Sequence, residues 1–310
     1  MSTYNNKIAI TTGDPNGIGA EITIKALNEL SFSADEVVII SNSKILRENG
    51  KLKQDFEIIE IDYQGEINSG TDTKKGGEFS YQLLKKAAQL HPKAIVTAPV
   101  SKKAMHLAGH FYNGQTEVLE HFLAKENQKA EMLFTCDDFR VLLLTRHIAI
   151  KDIQISKELI IDKIRRLHKF FQEKTFIKEP KIGLCALNPH AGENGVIGKE
   201  ELDILIPAVI DLKNEGINIS NPISADSLMA NALRNKLTGN AQPFDCYVAM
   251  YHDQGLIPIK AAGLNNVVNM TIGLNIIRTS PSHGTAFDIA GKNIANHKPM
   301  IKAIEQALQI

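Results

Sequence analysis

The segment KIAITTGDPNGIGAEITIKAL (residues 7–27) sets the fold class. Lys7 to Thr12 is a short apolar, β-branched run with strand character, and Ala20, Ile24 and Leu27 then recur at the i, i+4, i+7 spacing of one helix face. Between them, Gly13-Asp14-Pro15-Asn16-Gly17-Ile18-Gly19 makes a strand-to-helix turn whose amides can face an anion. The turn is not G-x-G-x-x-G and lacks the G-K-[ST] ending, so its glycines alone specify neither a dinucleotide nor a triphosphate.

The same alternation recurs along the chain. Strand-like runs at Val37 to Ser41, Ala94 to Thr97, Val141 to Thr145, Ile182 to Leu187 and Tyr247 to Tyr251 are separated by helical patterns, which predicts an α/β protein. Ile160, Ile164, Leu167 and Phe171 form a helix stripe behind a Ser156 N-cap. Another helix is expected from Lys199 to Glu215, kinked by Pro207 and stopped by Gly216, and a last one after Pro299 with Ile301, Ile304 and Leu308 on one side. Tyr63 to Phe79, polar and glycine-rich, reads as a surface loop or hairpin.

Composition narrows the function classes. At 310 residues, 43% hydrophobic and 23% charged, the chain is neither disordered nor fibrous and is long enough for two domains. Thirty-five basic residues balance 35 acidic ones, so nothing draws the whole molecule to a phosphate polymer; nucleic acid is not expected, and any anion needs a local cluster. Cys136, Cys185 and Cys246 each lie in or beside apolar runs, as buried reduced thiols of a cytoplasmic protein do. No run reaches the roughly 18 apolar residues of a membrane span, and the N-terminus carries no signal-peptide core, so no membrane is expected as partner.

Chemically loaded clusters start where the strand runs stop: Thr12 to Gly17, Thr97 to Lys102, Thr145 to His147, Asn188 to His190, and Tyr251 to Gln254. In open α/β sheets, ligands bind beyond the carboxyl ends of strands, where loops from distant parts of the chain converge. His147, His190 and His252 all occupy such ends. Three neutral imidazoles leave an open position on a divalent ion, as a catalytic metal site requires, whereas ordinary loop histidines are the plain alternative. Lys260, Asn269 and Arg278, nine residues apart, offer an ammonium, a carboxamide and a guanidinium fork suited to a small phosphate or carboxylate. Solvated surface charge is the plain alternative for Lys260. Arg278 stands in an apolar stretch, where a charge needs a ligand or carboxylate to meet it. Asp253 is placed to orient a neighbouring imidazole or to touch a cofactor; a loop cap is the alternative.

Together these residues resemble the 4-hydroxythreonine-4-phosphate dehydrogenase family of pyridoxal phosphate biosynthesis. The likeness runs through GDPNGIGAEI, TAPVSK, GQTEVL (114–119), ALNPHAGENG (186–195), NPISAD (221–226), YHDQGLIPIK (251–260) and NMTIGLNIIRTSPSHGTAFDIAGK (269–292). The last stretch also resembles the nicotinamide-cofactor loop of isopropylmalate dehydrogenases, which accounts for the missing Rossmann fingerprint.

The resemblance implies a two-lobed α/β/α isopropylmalate dehydrogenase-like fold with its active-site cleft between lobes and at a homodimer interface. Residues 1–128 with 280–310 would form one lobe and 129–279 the other. It implies NAD or NADP held by His283, Gly284, Thr285, Ala286 and Asp288, and a divalent ion (Zn, Mg or Co) on His147, His190 and His252. Substrate falls to Gln115, Thr116, Lys260, Asn269 and Arg278, with Lys260 and Asp253 as catalytic candidates. The implied reaction is oxidation of 4-phosphohydroxy-L-threonine followed by decarboxylation to 3-amino-2-oxopropyl phosphate. Gln115 stands where the family commonly has histidine and so lacks a titratable proton. That departure keeps open a 4-phospho-D-threonate or 4-phospho-D-erythronate dehydrogenase. A phosphate acyltransferase on the related fold and a non-catalytic metabolite-binding protein are the rivals from other classes.

Overall fold

The computed structural model describes residues 3–310. The chain divides into two compact units, Met1–Ala130 with Val268–Ile310, and Glu131–Val267.

The first unit begins with β1 (Ile8–Thr11), α1 (Gly19–Glu29), β2 (Val37–Ser41), α2 (Ser43–Asn49), β3 (Glu57–Glu60), α3 (Lys74–Leu90), β4 (Ala94–Thr97), α4 (Lys102–Leu107) and α5 (Gln115–Leu123). The second unit contains β5 (Glu131–Cys136), β6 (Phe139–Leu143), α6 (Lys157–Lys174), β7 (Ile182–Leu184), α7 (Ile206–Asn214), α8 (Ala225–Thr238), β8 (Cys246–Ala249) and α9 (His252–Gly263). The chain then returns to the first unit for β9 (Val268–Ile272), β10 (Ile277–Pro281) and α10 (Lys298–Gln309).

In the first unit the strand order is β3-β2-β1-β4-β10-β9, parallel except for the antiparallel β10–β9 pair. Alternation along β1 explains the layering. Ile8 and Ile10 pack in one apolar cluster with Ile22 and Leu27 of α1 and Met300 and Ile304 of α10. Ala9 enters a second cluster with Leu83 and Ala87 of α3 and Val118 and Leu119 of α5. Helices thus cover both faces of a mainly parallel sheet, as such strands require.

In the second unit the order is β5-β6-β8-β7, with β5 and β6 antiparallel and β6, β8 and β7 parallel. Val141, Leu143, Tyr247 and Ala249 pack with Leu228 and Met229 of α8 and Leu256 and Ile259 of α9. α6 starts where expected: the Ser156 side chain accepts from the Leu159 amide, and Ile160, Ile164, Leu167 and Phe171 are buried.

Four strands, β3, β5, β9 and β10, carry no isolated apolar run and were not expected. The loop expected over residues 63–79 ends at Thr73, whose hydroxyl caps α3 through the Gly76 amide. Gly77 lies inside that helix because a side chain there would strike the Ala104 carbonyl oxygen at 1.9 Å: the glycine signals close helix packing rather than a turn. The helix expected from Lys199 opens as a π turn (Glu201–Leu205), and Pro207 sits in the first turn of α7, where its missing amide costs nothing. The second crossing between units falls at Val267/Val268, earlier than the expected 279/280, because β9 is paired with β10 in the first unit. The first falls at Ala130/Glu131, two residues after the expected 128/129.

All three cysteines are free and buried, and desolvation pushes the Cys185 and Cys246 thiols up to about 12, which makes them packing residues. Among the described residues, no helix is long and apolar enough to cross a membrane.

Candidate functional site

The groups singled out in sequence fall into two sets, one in each unit. In the first unit, Arg278 on β10 lies opposite Thr271 of β9 and Ile95 of β4. It is 4% exposed, and its Nε donates to the Thr97 hydroxyl at 2.8 Å. Burial pulls its pKa down to about 10, and Glu117 of α5 opposes that shift. Gln115 and Thr116 open α5. Gln115 donates through Nε2 to the Ala98 carbonyl (3.2 Å), which leaves Oε1 buried without a partner among the described residues. Thr116 is buried with its hydroxyl 3.4 Å from that of Thr271. Asn269 on β9 likewise has a buried, unpartnered Oδ1. A buried guanidinium and two unsatisfied amide oxygens, carried by β10, α5 and β9 of one unit, are groups that a ligand with both anionic and donor groups completes.

The turn after β1 is part of this set. Gly13 (φ +74°) approaches the Pro99 carbonyl so closely that a Cβ would lie 2.2 Å from it, so the turns after β1 and β4 touch backbone to backbone. Asp14 is fully buried. Its Oδ1 accepts the Asn16 amide at 2.9 Å and its Oδ2 has no partner among the described residues. Desolvation raises its pKa to about 6, with Asp72 pushing the same way and the Asn16 amide opposing. Sequence reasoning noted the turn but not this acid, whose only signal was its place between a strand and a helix.

The residues implied for the cofactor follow β10. The Ile18 amide donates to the Thr285 carbonyl at 3.1 Å, which ties this loop to the turn after β1. His283 Nδ1 contacts the Gly284 carbonyl at 3.0 Å, and its Nε2 is buried without a partner among the described residues. Ala286 holds φ +44°, while Gly284 is exposed with open space where a side chain would stand. An open loop with an orphaned ring nitrogen fits a polar cofactor. Asp288 is exposed.

In the second unit the loops after β6, β7 and β8 are stitched together. Thr145 bonds the Met250 carbonyl through both amide (3.1 Å) and hydroxyl (2.7 Å). Gln254 accepts the Met250 amide at 2.7 Å and donates to the Ala186 carbonyl at 2.9 Å. These bonds bring His147 and His252 to a ring-centroid separation of 5.7 Å. Imidazoles bound to one ion at about 2.1 Å per nitrogen hold centroids roughly 5 Å apart, so this pair fits a shared cation. His252 Nδ1 contacts Asp253 Oδ1 at 2.7 Å, the carboxylate support that metal-bound imidazoles commonly have.

His190 lines a cavity of about 380 Å³ with Asn188, Asp226, Tyr251 and Gln254. His147 and His252 line one of about 290 Å³, and Tyr251 borders both. Asp226 is held below its usual range mainly by the Ser224 hydroxyl, with the His190 ring contributing. Among the described residues no three His, Cys, Asp or Glu side chains are gathered closely enough to hold an ion. Two imidazoles are therefore together, and the third lies on the adjoining cavity.

His190 sits in unusual backbone. His190, Ala191, Gly192, Glu193, Asn194 and Gly195 all have positive φ, between 45° and 89°. Left-handed L-residues cost about 1–2 kcal/mol each, so this turn needs support from its surroundings. Lys260 is on α9 and lines neither cavity; it belongs to the second unit, whereas Asn269 and Arg278 belong to the first.

A family model described as pyridoxal phosphate biosynthetic protein PdxA matches residues 7–307. A 4-hydroxythreonine-4-phosphate dehydrogenase from Sulfurihydrogenibium sp. (strain YO3AOP1) is 40% identical, covering 97% of each chain. A D-threonate 4-phosphate dehydrogenase from Cupriavidus necator is 35% identical over 100% of this chain and 98% of that one. The crystal structure of 4-hydroxythreonine-4-phosphate dehydrogenase from Klebsiella pneumoniae superposes with a TM-score of 0.85 at 32% identity, covering 98% and 99% of the two chains. For the fold alone, a β-decarboxylating dehydrogenase from Thermococcus kodakarensis matches with a TM-score of 0.51 at 15% identity, covering 98% of this chain and 82% of that one.

Proposed function

The chain belongs to the PdxA family of pyridoxal phosphate biosynthetic proteins, a family of dehydrogenases, and from that membership we propose that it oxidises 4-phosphohydroxy-L-threonine at C3 and releases CO2 to give 3-amino-2-oxopropyl phosphate. The observation that carries the reading is Arg278, a buried guanidinium held by Thr97 in the same unit as the unpartnered oxygens of Gln115 and Asn269. Such a site serves a small molecule bearing both anionic and hydrogen-bond-donating groups, as a phosphorylated amino acid does.

In the reaction, the C3–H bond breaks with its electron pair moving to NAD(P), and the hydroxyl loses a proton. The resulting β-keto acid breaks its C1–C2 bond, and C2 is then protonated. His147, His190 and His252 would hold a divalent cation (Zn, Mg or Co), which would supply Lewis acidity to the substrate alcohol. Arg278 and Asn269 fix the anionic end, Thr116 and Gln115 bond the polar groups near the reacting carbon, and the His283–Asp288 loop receives the nicotinamide cofactor. Asp253 orients His252; Lys260 anchors an anionic group and carries the proton that C2 receives.

We assign these roles within a cytoplasmic homodimer. Large exposed apolar residues follow each histidine in the chain: Ile148 and Ile150 after His147, Val196 after His190, and Ile257 after His252. Such flanks suit a site covered by a second copy.

Gln115 and the D-threonate-named relative favour one second reading, a 4-phospho-D-threonate dehydrogenase in which a hydroxyl replaces the ammonium. The test is NAD(P)H formation from 4-phosphohydroxy-L-threonine and from 4-phospho-D-threonate, side by side, after chelation and after addition of Zn2+, Mg2+ or Co2+. Turnover of the amino acid that chelation abolishes and metal restores is expected. Preference for the threonate selects the second reading, and NAD(P) reduction with neither substrate removes both.

A further inference from the structure

We propose that Glu201 is a positioning residue that holds the left-handed turn of residues 190–195 and thereby aims His190. This rests on the reading of His190 as a metal ligand and names what fixes its direction.

Glu201 is 2% exposed and sits on the π turn that precedes α7. Its Oε1 accepts two successive amides, Leu187 N (2.9 Å) and Asn188 N (2.8 Å), and its Oε2 accepts Asn188 Nδ2 (2.9 Å). The carboxylate also fills the space under the turn: a Cβ on Gly192 would lie 2.6 Å from Glu201 Oε2. Three N–H donors converge on a buried carboxylate just ahead of Pro189 and His190. Within the turn, the Ile197 amide returns to the Gly192 carbonyl and the Val196 amide to that of Glu193. Those bonds close the turn on itself but do not fix it to the strand end. The link from β7 to His190 runs through Leu187 and Asn188, the residues Glu201 holds.

Glu201 is the first residue of the π turn. The extra residue of a π turn shifts the side chains that follow relative to a regular helix, and such turns recur at functional sites. Replacing the carboxylate by a carboxamide keeps the volume but sets an amide donor against an Asn188 donor, so the bond set cannot survive intact.

The test uses the full chain and Zn2+ alone, titrated calorimetrically into apo-protein, with His190→Ala, Glu201→Gln and Asn188→Ala beside the wild type. Loss of a group that orients a metal ligand typically weakens binding by about 10- to 100-fold, and that loss is expected for Glu201→Gln. Asn188→Ala keeps both main-chain bonds, loses the Nδ2 bonds to Glu201 Oε2 and to Glu200 Oε2 (2.7 Å), and should lie between wild type and Glu201→Gln. In steady-state assays kcat should fall with the KM for NAD(P) unchanged, a split that general loosening of the fold does not produce. If Glu201→Gln does not fold, Asn188→Ala decides, and a severalfold weaker affinity supports the clamp. Wild-type Zn2+ affinity in a folded Glu201→Gln, or in Asn188→Ala when the former is lost, overturns it. Should His190→Ala itself bind Zn2+ as the wild type does, the ligand reading of His190 falls and the clamp with it. A loss in His190→Ala alone leaves that reading standing and removes only Glu201.

Discussion

Arg278 and Asp14 of the first unit are 4% and 0% exposed, whereas in the second unit His252 keeps 39% and Asp253 68% of their side chains in solvent. The first set is built by folding itself: its polar atoms are desolvated along with the sheet, and several end without partners. The second is brought to the surface by hydrogen-bonded strand ends and a strained turn, with His252 bonded to the exposed Asp253. A desolvated set lowers stability while waiting for its ligand; an exposed set costs the fold little and must be aimed instead. Activity and stability should therefore separate differently in the two units.

The largest expected effect is at Arg278. Arg278→Met keeps an apolar stem but removes the guanidinium. Removing one partner of a buried charged contact costs about 2–5 kcal/mol of binding, so kcat/KM for the phosphorylated substrate should drop by about 30- to 5,000-fold. Thermal stability should hold or rise, since an apolar replacement of a buried charge is commonly neutral or stabilising. Kinetics combined with thermal denaturation checks both directions at once. A melting temperature that falls together with activity would make Arg278 a structural group and erase the contrast between the units.

Asp14 gives the next effect, in stability and with a pH signature. Its folded-state pKa of about 6 lies above the ordinary aspartate value of 3.8, so the fold favours the neutral acid. The stabilising contribution is complete below about pH 4 and is lost as pH rises through about 6; above that, the fold carries a buried carboxylate. A shift of that size corresponds to about 3 kcal/mol. Asp14→Asn has nothing to titrate. Its stability relative to wild type should climb between about pH 4 and pH 7 by that order and then level, as urea denaturation across the range would reveal. A difference independent of pH would mean that Asp14 is solvated and that the first set is less buried than described.

How much of this could be read in the sequence follows the same division. β2 and β4 were legible to the residue and β1 nearly so, because strands buried on both faces leave unbroken apolar runs. β9 was not, because Asn269 and Thr271 interrupt its apolar pattern, and β3 was not, because Glu57 and Glu60 bound a short exposed edge strand. Arg278 drew notice as a charge among apolar neighbours. The three histidines drew notice by their places after strands; the bonds at Thr145 and Gln254 bring His147 and His252 together, whereas His190 lines the adjoining cavity. Glu201 and Asp14 left almost no trace: each looks like an ordinary acid near a helix start, and only burial distinguishes them. Lys260 was grouped with Asn269 and Arg278 by even spacing; it lies in the second unit and they lie in the first.

The smallest expected effect belongs to the exposed set. Asp253 contacts His252 Nδ1 at 2.7 Å but lies mostly in solvent, where an ion pair adds little to stability. Asp253→Asn should leave the melting temperature unchanged, since the carboxamide oxygen can still accept from the ring. What changes is the strength of that support: a carboxylate raises the basicity of the far nitrogen and selects the tautomer that leaves it bare, whereas a neutral amide does both less well. Zn2+ affinity should therefore fall by about tenfold with stability intact, the mirror image of the Asp14 result, in which stability changes without any ligand present. Calorimetric Zn2+ titration of Asp253→Asn beside Asp14→Asn places the two units on one scale. If Asp253→Asn alters folding and leaves Zn2+ binding untouched, exposure has misidentified which of the two sets is poised for a ligand.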